Sequence, residues 1–122
     1  MGSEENRSLV TVPNPEPERR YTVTFRYSEF TALYPTTSEP VFATVSILYV
    51  PGETCLETVS LKRYLGTFRN ETMFYEGLVN RILDDLVSAC KPREMDVTGA
   101  FTVRGGIESS VSARYLSGGG DD

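Results

Sequence analysis

The stretch that decides the fold covers residues 74–90 and reads FYEGLVNRILDDLVSAC. Its apolar side chains recur every four residues, which places them along one face of an α-helix. They are Phe74, Leu78, Ile82, Leu86 and Cys90. A shorter run over residues 61–68 has apolar side chains four and three residues apart. The spacing therefore predicts two consecutive helices, of which the second is the longer.

On both sides of these helices the apolar side chains recur every second residue. Residues 21–27 and 43–49 alternate in this way, which is typical of strands with one buried face. Residues 95–103 and 107–115 alternate again on either side of Gly105-Gly106, the pattern of a hairpin. The order strand, strand, helix, helix, strand, strand predicts an α+β fold, a four-stranded antiparallel sheet with both helices on one face.

The two ends of the chain differ from this middle part in composition. Residues 1–19 contain charged residues and prolines but few apolar ones, and residues 117–122 are serine, glycine and aspartate. We expect flexible tails there and one domain over residues 20–116. Four strands leave two open sheet edges, so the domain is expected to form a homo-oligomer whose edge strands pair into a barrel.

The composition argues against several classes of protein. Twelve Lys and Arg stand against 17 Asp and Glu, without the clustered basic residues that a nucleic-acid-binding surface needs. The apolar runs are far shorter than the roughly 20 residues that cross a membrane, so we expect a cytoplasmic protein. With no histidine and two cysteines, no metal site is expected and histidine catalysis is excluded.

Several short strings occur in a specific order and spacing between residues 25 and 115. They are Glu29-Phe30-Thr31-Ala32-Leu33, Glu57-Thr58, Ser60-Leu61-Lys62-Arg63-Tyr64-Leu65, Phe68-Arg69-Asn70, Asn80-Arg81-Ile82-Leu83-Asp84-Asp85-Leu86 and Arg104-Gly105-Gly106-Ile107. Together they resemble the 7-cyano-7-deazaguanine reductase family of the tunnelling-fold (T-fold) superfamily, the nitrile reductases of queuosine biosynthesis. The resemblance implies a T-fold whose pocket lies between subunits.

The chain departs from this family's pattern at positions that carry the chemistry. Tyr34 stands where the resemblance implies the nucleophilic cysteine, and Val41 where it implies the catalytic aspartate. Tyr75 replaces the family's histidine, and Val59 replaces the first of two lysines linked to NADPH, which leaves Lys62. These differences predict that nitrile-reductase chemistry is lost and that no cofactor is bound, with Lys62 the one remaining candidate for NADPH.

Two carboxylates of the family's pocket remain. Glu76 corresponds to the glutamate that accepts hydrogen bonds from a planar heterocycle, and Glu57, beside Thr58, to a second ligand-binding carboxylate. The predicted function is therefore a divergent T-fold enzyme that acts on a planar heterocyclic substrate without redox chemistry. Tyr34, Tyr75 and Glu76 would carry its acid–base catalysis.

Alternatives remain at this point. The chain could be a non-catalytic binding or scaffold subunit, or it could be an NADPH-dependent nitrile reductase after all. Glu76, near the start of the long helix, could serve only the helix dipole. Cys55 is a candidate replacement nucleophile because it shares a face with Glu57 in an extended segment, although a lone cysteine is more often an apolar filler.

Overall fold

The computed structural model describes residues 8–118. In chain order its elements are the strands β1 (Thr11–Pro13), β2 (Val23–Leu33), β3 (Pro40–Val50) and β4 (Thr54–Leu56), the helix α1 (Thr58–Gly66), a 3-10 helix (Thr67–Asn70), the helix α2 (Tyr75–Cys90), and the strands β5 (Glu94–Arg104) and β6 (Ile107–Leu116).

The main sheet is antiparallel and has the strand order β2-β3-β5-β6. The predicted α+β arrangement of four strands and two helices is thus confirmed. The two glycines of the β5–β6 turn have φ angles of 59° and 83°, a left-handed conformation that glycine adopts without steric cost. Both β2 and β6 are edge strands, each with one row of backbone groups facing away from the sheet.

The core lies between one face of the main sheet and the two helices. Period-two side chains of the inner strands meet period-four side chains of the helices there, as the sequence predicts. The sheet contributes Val45, Ile47, Met95 and Val97, and the helices contribute Leu61, Leu65, Leu78, Ile82 and Leu86, all of them buried. This packing holds the residues at the ends of β2, β5 and α2 in fixed positions.

The N-terminal segment differs from its prediction. Residues 1–19 were expected to be a tail, yet Thr11–Pro13 pairs with Thr54–Leu56 in a second, two-stranded sheet. Asn14 is buried, and its side-chain amide donates to the Gly52 carbonyl at 2.7 Å. The predicted boundary failed because this segment has no apolar period of its own and is held by backbone hydrogen bonds. Residues 1–7 and 119–122 lie outside the described part of the chain.

One polar contact joins the two helices. The Tyr64 hydroxyl on α1 donates to the Asp85 carboxylate on α2 at 2.6 Å, and Arg81 Nε lies 3.1 Å from the same carboxylate oxygen. Asp85 therefore takes part in the packing of the two helices against each other. Neither helix that the structure describes is long and apolar enough to span a membrane.

Candidate functional site

Tyr34 lies in a tight loop directly after β2. Its backbone N–H donates to the Glu39 carbonyl at 2.9 Å, and its carbonyl accepts from the Ser38 N–H at 2.8 Å. Ser38 has a φ of 61°, a left-handed conformation that is uncommon for a residue with a side chain.

Aromatic packing fixes the two predicted catalytic tyrosines next to each other. The Tyr34 ring contacts the rings of Phe74 and Tyr75 edge to face, with centroids 5.6 Å apart in both pairs. The Tyr75 ring stacks on buried Phe101 at 3.9 Å with an interplanar angle of 9°. A parallel bridge between Leu33 and Thr72 brings the end of β2 to the start of α2. The structure thus brings Tyr34 and Tyr75 together as the sequence reasoning proposed.

These tyrosines line a cleft of about 260 Å³, which we call the tyrosine cleft. Its polar lining consists of Tyr34, Thr37, Glu39, Tyr75, Arg104 and Ser109. Arg104 donates to the Glu39 carboxylate at 2.5 Å and to the Pro40 carbonyl at 3.1 Å. The sequence analysis identified only a hairpin turn at Gly105-Gly106 and did not single out Glu39, because nothing in the sequence around Arg104 or Glu39 shows that the two residues meet.

Val41 and Glu76 lie outside this lining. Val41 is 1% exposed and belongs to the hydrophobic core, so no proton donor stands where the resemblance implies an aspartate. Glu76 is exposed in the first turn of α2, and its backbone carbonyl accepts from the Asn80 side chain at 2.9 Å. The Glu76 carboxylate forms no hydrogen bond or ion pair with any of residues 8–118, so it is free to accept donors from outside this part of the chain.

Glu57 caps α1. One carboxylate oxygen accepts from the Val59 N–H at 2.8 Å and the other from the Ser60 N–H at 2.7 Å. These two backbone hydrogen bonds lower the pKa of Glu57 below its ordinary value, because they favour the charged form. Glu57 therefore has a structural role besides its predicted ligand-binding role, because both of its carboxylate oxygens already accept hydrogen bonds from backbone N–H groups.

A second cleft of about 290 Å³ lies between β2 and α1, and we call it the lysine cleft. Its polar lining consists of Arg26, Tyr27, Ser28, Glu29, Thr58 and Lys62. Thr58 and Lys62 are four residues apart and therefore share one face of α1. The candidate residues thus fall into separate groups within one chain, because the tyrosines line one cleft and Thr58 and Lys62 another. Arg26 alternates with Phe25 and Tyr27 and pairs with Ser46, so its side chain lies on the face of the sheet away from α1, as the alternation in the sequence predicts.

The two cysteines lie in other places. Cys55 is half-buried in β4, with Sγ 3.8 Å from the Tyr21 hydroxyl, and Cys90 is buried at the end of α2. Burial raises the pKa of Cys90 from 9.0 to about 12, which disfavours a thiolate. Neither cysteine lines the tyrosine cleft or the lysine cleft. Among residues 8–118, no group of three or more acidic or cysteine side chains is placed to hold a metal ion.

Comparison with known proteins decides the family. The family model described as QueF-like protein matches residues 40–118. The chain belongs to this family. It is 49% identical over 121 residues to an NADPH-dependent 7-cyano-7-deazaguanine reductase of Nitrosococcus oceani, covering 99% of this chain and 94% of the relative. It is 44% identical to the Thermomicrobium roseum protein of the same name, over 94% of this chain and 90% of the relative.

A solved structure shows the same fold. The crystal structure of an archaeosine synthase QueF-Like in the apo form superposes with a TM-score of 0.70 at 21% sequence identity. The match covers 81% of this chain and 94% of the other. The fold is therefore the T-fold that the resemblance implied.

The relatives correct three expectations. The chain was expected to have lost nitrile-reductase chemistry, to run non-redox acid–base catalysis and to bind no cofactor. Proteins 49% identical over nearly their whole length are named NADPH-dependent 7-cyano-7-deazaguanine reductases, which contradicts the non-redox interpretation and the expected lack of a cofactor. The expectation failed because it gave four substituted positions more weight than similarity along the remaining chain. The alternative of a nitrile reductase is the one that the relatives support.

Proposed function

We propose that this chain is an NADPH-dependent reductase that acts on the nitrile group of 7-cyano-7-deazaguanine. The observation that carries the proposal is the 49% identity to a reductase of that name over 99% of this chain and 94% of the relative. Similarity this even along both chains supports a shared substrate class and a shared reaction.

The side chains of the lysine cleft suit the phosphates of NADPH. Lys62 carries a positive charge, and Ser28 and Thr58 add hydroxyl groups that can donate to phosphate oxygens. When bound, NADPH supplies hydride. The roles of this chain's own residues are to bind the phosphates of the cofactor, to bind the substrate ring and to donate protons.

The tyrosine cleft supplies the proton donor in this proposal. Reduction of a nitrile adds hydride to its carbon and a proton to its nitrogen at each of two successive steps, giving first an imine and then an amine. Tyr34, at the position that resembles the family's nucleophile, donates the proton, and Tyr75 lies beside it with its ring held on Phe101. Because position 34 holds a phenol and not a thiol, the proposed reaction forms no covalent bond between a thiol at this position and the nitrile carbon.

The substrate ring is held by Glu76 in this proposal. Its carboxylate has no partner among residues 8–118 and can accept a pair of N–H donors from a purine-like edge. Because Glu76 lies outside the cleft of its own chain, the complete pocket forms between subunits of a homo-oligomer. The outward-facing backbone groups of β2 and β6 are the surfaces that would pair. We also propose that the protein is cytoplasmic.

The test is to incubate the purified protein with 7-cyano-7-deazaguanine and NADPH, following NADPH absorbance and the mass of the product. We expect NADPH oxidation and an amine product. Tyr34→Phe keeps the ring that packs on Phe74 and Tyr75 but removes the hydroxyl, so kcat is expected to fall about 100-fold or more.

Tyr115→Phe is the matched control, because Tyr115 lies on β6 and lines neither cleft. Its activity should equal that of the unchanged protein. Full activity of Tyr34→Phe would show that the Tyr34 hydroxyl does not take part in the reaction. Substrate binding in calorimetry without any NADPH oxidation would overturn the reductase proposal and leave the protein a binding subunit.

A further inference from the structure

The pairing of β3 with β5 stops before the end of the sheet where the tyrosine cleft lies. Its last pair at this end is Ala43 with Phe101, although β3 begins at Pro40 and β5 continues to Arg104. Continued in the same register, the pairing would place Pro40 opposite Arg104. Proline has no backbone N–H and cannot donate a hydrogen bond to a neighbouring strand. The backbones of β3 and β5 are therefore not paired with each other beside the cleft.

The Arg104 side chain bridges this gap. Its Nη1 donates to the Pro40 carbonyl at 3.1 Å, and its Nη2 donates to the Glu39 carboxylate at 2.5 Å. An irregularity in the β5–β6 pairing lies directly before Arg104, and irregularities of this kind change the direction in which a side chain points. One guanidinium thus joins the tip of the β5–β6 hairpin to the tip of the β2–β3 hairpin.

Glu39 connects Arg104 to Tyr34. The Glu39 carbonyl accepts from the Tyr34 N–H at 2.9 Å, and the Tyr34 carbonyl accepts from the Ser38 N–H at 2.8 Å. Glu39 therefore contacts Tyr34 with its main chain and Arg104 with its side chain. Residues 36–40 are exposed, so this part of the loop is not fixed by burial in the core. Its position depends on polar contacts such as these.

We propose that the ion pair between Arg104 and Glu39 positions Tyr34 for proton donation to the substrate. This inference rests on the proposed function. The rings of Phe74 and Tyr75 hold the Tyr34 ring from the side of α2, and the ion pair holds its backbone from the side of the β5–β6 hairpin. A proton donor must lie within hydrogen-bonding distance of the atom that it protonates, and a displacement of about 1 Å can reduce a rate about 100-fold. Arg104 and Glu39 are thus positioning residues that act through Tyr34.

The ion pair contributes little to folding stability. The Arg104 side chain is 41% exposed and the Glu39 side chain 58% exposed. Exposed ion pairs stabilise a fold only weakly, because water screens their charges. Loss of the pair should therefore change the rate of the reaction much more than it changes the melting temperature.

The first measurement is the steady-state kinetics of NADPH oxidation with 7-cyano-7-deazaguanine. Arg104→Ala and Glu39→Ala are each expected to lower kcat about tenfold with little change in KM, because the aromatic contacts of Tyr34 remain. The double variant should lose no more than Arg104→Ala alone, since both changes break the same pair. Arg104→Lys should keep part of kcat, because lysine retains the charge but not the two-pronged geometry of the guanidinium. Losses that multiply in the double variant, or full activity of Glu39→Ala, would overturn the inference.

The second measurement needs neither substrate nor NADPH. Amide hydrogen exchange, followed by mass spectrometry of peptides that cover residues 34–39, reports how often the loop opens. Both alanine variants of the pair should speed this exchange about tenfold. Arg20→Ala is the matched control, because Arg20 pairs with Glu94 at the start of β5, the end opposite to Arg104. It should leave both the exchange and kcat unchanged.

The two measurements distinguish this inference from the proposed function. Unchanged exchange over residues 34–39 in both alanine variants would contradict the inference, whatever their activity. If the unchanged protein does not oxidise NADPH, the proposed function is wrong and the pair has no part in catalysis. Melting curves of all variants exclude unfolding as the cause of any loss.

Discussion

Gly99 is the position where the fold and the tyrosine cleft are most tightly linked. It is buried in the middle of β5, between Val45 on β3 and Val111 on β6. A Cβ atom added there would lie 3.0 Å from Val79 Cγ2 and 3.1 Å from Phe101 Cε2. Ordinary carbon contacts are about 3.5–4.0 Å, so the neighbours would have to move by about half an ångström.

Neither neighbour of Gly99 has space to retreat. Val79 is 1% exposed on α2, and the Phe101 ring is stacked on Tyr75 at 3.9 Å. Overpacking of this kind costs about 1–3 kcal/mol, and replacing a strand glycine returns about 0.5–1 kcal/mol. We therefore expect Gly99→Ala to lower the free energy of unfolding by about 1–2 kcal/mol.

Urea denaturation measures this change as a lower midpoint at an unchanged slope. Gly77→Ala is the matched control, because a Cβ atom there meets only Met73 Cε at 3.6 Å. Gly77 is exposed in α2, so alanine should stabilise the protein by about 0.5–1 kcal/mol. Equal or greater stability of Gly99→Ala than of the unchanged protein would refute the argument from close packing.

Three other predictions concern pH, ligand binding and assembly. The pKa of Cys90 is raised from 9.0 to about 12 in the folded protein, so the contribution of this thiol to stability is present below pH 9 and is lost as pH rises toward 12. Cys90→Ala should therefore reduce the decline of the free energy of unfolding between pH 9 and pH 12, as measured by denaturation curves. Glu76→Gln should weaken 7-cyano-7-deazaguanine binding about tenfold or more in calorimetry, with an unchanged melting temperature; the reverse pattern would leave Glu76 only a helix-dipole role. Sedimentation at micromolar concentration should show a homo-oligomer, and a monomer alone would contradict pairing of β2 with β6.

Much of the fold could be predicted because its signals are local and periodic. The alternation over residues 21–27 and 43–49, and the four-residue spacing over residues 74–90, identify elements without knowledge of their neighbours. The short strands β1 and β4 could not be predicted in this way. A strand of three residues is too short to show a period, and the two strands pair through backbone hydrogen bonds across the 40 residues between them.

The site was less predictable, and for two physical reasons. Tyr34 and Tyr75 could be placed together because both correspond to positions of one family pattern. The pairing of Arg104 with Glu39, and the sharing of a cleft by Ser28 and Lys62, depend on which strand ends and helix faces meet in three dimensions. The prediction of non-redox chemistry was wrong for a different reason. It rested on a few substituted positions and not on the similarity of the rest of the chain to its relatives.

The β1 segment also affects the order in which the protein can assemble during its synthesis. The backbone N–H of Val10 donates to the Ser60 hydroxyl, 50 positions further along the chain, and the Val10 carbonyl accepts from the Glu57 N–H. The first described strand to leave the ribosome must therefore wait for a partner from the middle of the chain, whereas β2 can pair with β3, which is made before β4. Until β4 has been made the small sheet cannot form, and the nascent chain carries an unpaired segment.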